Sequence, residues 1–178
     1  MFRLAALAFL CLFALNFPAA AQATDPQNTI VLETTKGKVV IQLRPDLAPK
    51  HAERIKQLAR DGYYNNVPFH RVIEGFMAQT GDGQYGNGTG GSKYPNLPAE
   101  FSSTPFTRGV VGMARSQSPN SANSQFFIMF GSTPSLNGQY TVIGKVTSGM
   151  ENVDKIKRGE PVQNPDKIVT ARVAGDKK

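Results

Sequence analysis

"GDGQYGNGTGG", Gly81 to Gly91, contains the dinucleotide-binding spacing G-x-G-x-x-G twice, at Gly81, Gly83, Gly86 and again at Gly86, Gly88, Gly91. Read as a fingerprint, it makes the chain a doubly wound α/β protein; read as a loop, it leaves the fold to its flanks. The fingerprint works only where a strand passes through a tight glycine turn into a helix whose N-terminal amides hold a pyrophosphate. Here "SKYPNLPAEF" follows, and Pro95 and Pro98 forbid a regular helix interior. A phosphate loop of the G-x-x-x-x-G-K-[ST] type fails as well, because Gly37-Lys38 and Gly144-Lys145 are each followed by valine. The stretch is therefore a long surface loop whose glycines permit positive φ, and a loop of this length is commonly functional. No nucleotide cofactor is predicted.

On the N-terminal side, "TIVLETTKGKVVIQL" (Thr29 to Leu43) reads as a β-hairpin turning at Lys36-Gly37. Ala48, Ala52, Ile55, Leu58 and Ala59 then recur at helical spacing, so a helix is predicted from Pro49 to Arg60 with Gly62 as its stop. "VPFHRVI" and "FMAQTGD" read as strands leading into the loop. Beyond it, "GVVGMA", "QFFIMF", "TVIGKV" and "KIVTARV" are short apolar runs between Gly, Pro, Asn and Ser clusters, interrupted by "GMENVDKIK", a short second helix. Many short strands, two helices and no regular βα alternation predict a mainly β protein, a closed antiparallel barrel with two helices.

The chain begins with Arg3, an apolar run from Leu4 to Phe17 and the small-residue pattern Ala21-Gln22-Ala23. This reads as a secretory signal peptide over residues 1–23, too short in its apolar core for the roughly 20 residues that span a bilayer. Residues 24–178 then form a single domain, without membrane insertion after cleavage, in a bacterial periplasm or outside the cell. Cleavage removes Cys11, the only cysteine, and Arg3, lowering the formal net charge from +7 to +6. The remaining charges are scattered without a basic stripe, so nucleic-acid binding is not expected. A histidine-based triad and a zinc site are excluded in the same way: there are two histidines, His51 and His70, and no cluster of ligands. His70 is expected to be a hydrogen-bonded structural residue.

"FHRVIEGFMAQTGD" (Phe69 to Asp82), "SQFFIMF" (Ser124 to Phe130) and "VIGKVTSGMENVDKI" (Val142 to Ile156), with "NGTGG" (Asn87 to Gly91) in the loop, resemble the cyclophilin family of peptidyl-prolyl isomerases, bacterial periplasmic members included. The order of motifs matches over nearly the whole mature chain. The resemblance implies an eight-stranded antiparallel barrel capped by two helices, no cofactor and no metal, a monomer, and proline-containing segments of folding proteins as substrate. It implies Arg71 as the catalytic arginine, with Phe76 and Gln79 beside it. Met77, Phe127 and Leu136 then fall on the proline-binding face, with Ala114, Gln125 and Gly88 on the peptide groove and Tyr140 where many relatives carry a groove histidine.

Those residue types suit the chemistry. A twisted X-Pro amide is less dipolar than a planar one, so an apolar slot favours it. Its nitrogen regains a lone pair to which a permanently charged guanidinium can donate. Gln79 is expected to orient either the peptide carbonyl or Arg71. Phe126 and Phe127, adjacent on one strand, must face opposite sides, so one packs inside while the other lines the groove. Besides Tyr140, two positions depart from the family pattern: Ser135 stands where many eukaryotic members carry a tryptophan, which argues against strong cyclosporin binding, and Arg115 replaces an asparagine in a segment one residue longer than usual. The alternative function is a proline-peptide binding chaperone with little catalytic role.

Overall fold

The computed structural model describes residues 25–176, and the predicted signal peptide lies outside them. A 3₁₀ turn, Pro26–Asn28, leads into β1 (Thr29–Thr34) and β2 (Gly37–Leu43), the expected hairpin. The helix α1 spans Pro49–Arg60. The strands β3 (Val67–Pro68), β4 (Arg71–Ile73), β5 (Met77–Thr80), β6 (Val110–Met113), β7 (Phe126–Met129), β8 (Val142–Ser148) and β9 (Lys167–Val173) follow, with α2 (Met150–Val153) between the last two. All pair antiparallel in one sheet of order β3-β9-β1-β2-β8-β6-β7-β5-β4.

The sheet has nine strands where eight were expected, and the reason is local. "VPFHRVI" is not one strand but two, β3 and β4, interrupted at Phe69-His70. These two pieces occupy the opposite edges of the sheet order, so the ring closes through the chain itself instead of through a ladder between them. The Thr80 hydroxyl of β5 donates to the Pro68 carbonyl of β3 across the seam at 2.9 Å.

Period-2 alternation gives the barrel an inside and a groove side. Ile30, Leu32, Val39, Ile41 and Leu43 of the hairpin point inward, joined by Val72, Ala78, Val111, Phe126 and Ile128 and covered by Ala52, Ile55, Leu58 and Ala59 of α1 in one core. The intervening residues Met77, Val110, Phe127 and Met129 form a second apolar cluster with Phe106 and Val142 on the other face. Phe126 and Phe127 are thus separated as expected. Phe126 meets Tyr64 edge-on in the interior, with ring centroids 5.5 Å apart.

The helix α1 has Pro49 at its start but no side-chain cap from Ala48. Its free amides are met from a distance by Glu100, whose carboxylate accepts from Lys50 N at 3.2 Å and His51 N at 3.1 Å. Glu100 also contacts His51 Nδ1 at 2.6 Å, which ties the proline-containing loop to the helix.

Candidate functional site

The site is built on the second face of β4, β5, β7 and β6. Their registers align Arg71 with Gln79, Gln79 with Phe127 and Phe127 with Gly112, one row of four positions across four strands. At the end of the row a side chain would displace its neighbours. A Cβ on Gly112 would lie 2.6 Å from ring atoms of both Phe106 and Phe127, and those rings stack with centroids 5.7 Å apart. Tyr140 meets Phe127 edge-on at 5.8 Å. The Pro134–Leu136 3₁₀ turn delivers Leu136, and Phe76 is fixed where its carbonyl accepts from Phe130 N at 2.8 Å.

Two adjoining cavities result. The smaller, about 120 Å³, is lined by Arg71, Phe76, Met77, Phe127, Leu136 and Tyr140 with Gln79, Ala114 and Arg115. It falls below the roughly 300 Å³ at which pockets for drug-sized molecules begin, and suits a single side chain. The larger, about 380 Å³, shares Gln79, Ala114 and Arg115 and adds Gln125 and the glycine-rich backbone at Gly88, Gly90 and Gly91. Every site residue singled out from the sequence lines one or both.

Two expectations about contacts change. Gln79 does not hold Arg71: its Nε2 donates to Gln125 Oε1 at 3.0 Å, and Gln125 Nε2 donates in turn to the carbonyls of Gly88 at 2.9 Å and Gly90 at 2.8 Å. Gln79 therefore anchors the glycine-rich loop through Gln125. Arg71 is held from the opposite side by Glu160, which accepts from its Nε. The Nη groups of Arg71 have no protein acceptor among the described residues, and Arg71 lines the small cavity.

His70 is buried as a structural residue, but neither ring nitrogen has a hydrogen-bond partner among the described residues. It packs beneath Gly88, where a Cβ would lie 2.9 Å from His70 Nε2; Gly88 also has φ +94°. Close approach to His70 is thus one reason for glycine at that position. Burial lowers the His70 pKa from its ordinary value, against the opposing pull of Asp82.

The glycine-rich loop is organised by Asp82, which sequence reasoning did not single out. Its Oδ1 accepts from Gln84 N at 3.1 Å and Tyr85 N at 2.9 Å; its Oδ2 accepts from Asn87 N at 3.2 Å, Gly88 N at 2.9 Å and Gly90 N at 3.0 Å. Burial alone would raise its pKa, but these amides outweigh burial and hold the carboxyl at about 2. The successive N–H groups that resembled a phosphate cradle already bind an anion, and it is the protein's own. Asp82 was legible only as the last residue of its motif. Phe106, Gly112 and Glu160 were likewise missed, since they come from separate loops and strands that only the fold brings together.

A curled antiparallel sheet, its edge strands β3 and β4 unpaired with each other, whose outer face carries an apolar slot lined in part by Arg71, defines a mainly β, barrel-like protein and not a doubly wound α/β one. Residues 29–173 match the family described as cyclophilin type peptidyl-prolyl cis-trans isomerase. A probable peptidyl-prolyl cis-trans isomerase of Brucella suis biovar 1 is 59% identical over 190 residues, covering 98% of this chain and 96% of that one. Among solved structures, cyclophilin AquaCyp293 from Hirschia baltica superposes with a TM-score of 0.81 at 30% identity, over 87% of this chain and 77% of that one. A Cryptosporidium parvum cyclophilin type isomerase, crystallised in the presence of the dipeptide Ala-Pro, gives 0.76 at 29% identity, over 83% and 99%. The chain belongs to the cyclophilin-type peptidyl-prolyl cis-trans isomerases.

Proposed function

We propose that this isomerase is secreted, acts as a monomer in a bacterial periplasm, and accelerates rotation about X-Pro bonds in envelope proteins as they fold. Rotation must remove amide resonance against a barrier of ~18 to 20 kcal/mol, and no bond needs to break. Turnover in about a millisecond instead of about a hundred seconds is roughly 10⁵-fold, or about 7 kcal/mol of preferential binding to the twisted amide.

The prolyl ring enters the slot formed by Phe76, Met77, Phe127 and Leu136, with Tyr140 as a wall. Water is excluded there, which disfavours the dipolar planar form relative to the twisted one. An Nη–H of Arg71 donates to the imide nitrogen as its lone pair returns. The charge is permanent and its direction is set by Glu160, so little reorganisation is needed during rotation. Ala114, Gln125 and Gly88 border the path of the flanking peptide backbone.

The observation that carries this reading is that Arg71, held through Nε by Glu160 and with no protein acceptor for its Nη groups among the described residues, lines the apolar slot. The cellular part is tested by fractionation and by complementation of an envelope-folding defect. Recovery of the processed protein in the periplasm, and rescue by wild type but not by Arg71→Ala, is the expected result. Retention in the cytoplasm, or equal rescue by both, would overturn it; equal rescue would favour a binding chaperone.

A further inference from the structure

We infer that Arg115 makes this isomerase selective for substrates that carry a carboxylate side chain within a few residues of the proline. The inference rests on the isomerase reading and extends it to the residues flanking the proline. Arg115 lines both cavities. In the larger one its neighbours are hydroxyls, amides and glycine backbone, such as Thr89, Asn96, Ser116, Ser121 and Asn123, and Arg115 is the only charged residue in the lining.

Its orientation is fixed. Nε and Nη2 donate to the Gln139 carbonyl at 3.1 and 2.8 Å, and Nη1 donates to the carbonyls of Ser116 at 2.9 Å and Gln117 at 3.2 Å. The guanidinium carbon sits 4.5 Å from the Tyr140 ring centroid. All of these partners are neutral. No carboxylate lies within ion-pair distance of Arg115 among the described residues, whereas the charge of Arg71 is offset by Glu160. The groove wall therefore presents one immobilised, uncompensated positive charge, surrounded by neutral hydrogen-bonding groups that can share in receiving an anion.

An extended peptide advances about 3.3 Å per residue, so a side chain one to three positions from a proline in the small slot reaches the adjoining cavity. A carboxylate there gains a charge-assisted contact with a group that loses no further freedom. A lysine meets like charge. A partly exposed pair of this kind is expected to favour Glu over Gln by about fivefold and Glu over Lys by at least about tenfold at low salt, with the preference shrinking as ionic strength rises.

The test uses the purified protein and a set of alanine-based peptides with one central proline, each carrying Glu, Gln or Lys at one of the three positions on either side. Catalysed cis–trans exchange is followed by NMR. The expected result is a Glu > Gln > Lys order in kcat/KM at one or more positions, reduced to within about twofold in Arg115→Gln and retained in part by Arg115→Lys. Ratios among peptides are compared within each variant, so a general change in activity does not enter. Equal kcat/KM for Glu and Lys peptides at every position, with the Gln peptides turned over normally, would overturn the charge selectivity alone; so would a preference that survives in Arg115→Gln. Absence of turnover with every peptide would overturn the isomerase reading and the inference with it.

Discussion

Replacing Asp82 by asparagine removes the charge on which the glycine-rich loop is wound, without a large change in volume. A carboxyl held at about 2 instead of its ordinary value near 3.8 corresponds to about 2 kcal/mol of folded-state preference for the anion. The geometry gives a similar figure. Asparagine keeps one acceptor oxygen but turns an NH₂ toward amides that now face Oδ2, those of Asn87, Gly88 and Gly90. Some of these reach water when the loop relaxes, so the net loss is about 2 to 3 kcal/mol, or about 4 to 12 °C in Tm for a domain of this size. The sign with pH follows from the lowered pKa. The Asp82 contribution is complete above about pH 4 and is lost as pH falls toward 2, so the stability difference between wild type and Asp82→Asn should shrink over that window. Urea unfolding of both proteins between pH 7 and 2 measures it, and amide exchange at Gly88 and Gly90 localises it. A difference below about 0.5 kcal/mol at pH 7, or one that stays constant down to pH 2, would refute the reasoning.

Three other substitutions probe separate parts of the site. Gly112→Ala forces a methyl against Phe106 and Phe127; it should cost about 1 to 3 kcal/mol by denaturant unfolding and lower kcat/KM at least about tenfold by displacing Phe127, and normal activity would show that Phe127 does not need its present position. Glu160→Gln, which loosens an exposed pair, should lower kcat/KM about twofold to fivefold with partial rescue in Glu160→Asp, a small effect that steady-state kinetics resolves. His70→Leu should leave stability at pH 7 within about 1 kcal/mol, because neither ring nitrogen has a partner to lose. It should also weaken the decline in stability below about pH 6.5, where the unfolded chain takes up a proton that the buried ring resists, and urea titrations at pH 7 and 5 check both points.

The hairpin, the boundaries of α1 and the separation of Phe126 from Phe127 were legible because each follows from local periodicity. Pro49, Gly62 and the reversal near Lys36 mark helix ends and turns that need no tertiary context, although the turn itself is Thr35-Lys36 and Gly37 already opens β2. The break between β3 and β4 was not legible. "VPFHRVI" is uniformly strand-like, and only closure of the barrel requires its halves to join opposite edges. At the site, Arg71, Phe76, Met77 and Phe127 lie in two continuous motifs, so sequence placed them in one group. The partners that hold them do not. Glu160 reaches Arg71 from 89 positions away, and Gln79 meets Gln125 across 46, separations at which no spacing rule operates. The glycine-rich stretch carries the same lesson in reverse: its amides do converge on an anion, but Asp82 supplies it from within.

The central claim is that the fixed guanidinium of Arg71 stabilises the twisted amide. It is tested most directly by NMR exchange on a neutral Ala-Pro peptide with wild type and Arg71→Ala, measuring kcat and peptide affinity together. Loss of one preorganised donor of this kind should lower kcat about 10² to 10³-fold while peptide affinity changes less than about fivefold. Unchanged kcat in Arg71→Ala, or a loss confined to affinity, would contradict the account.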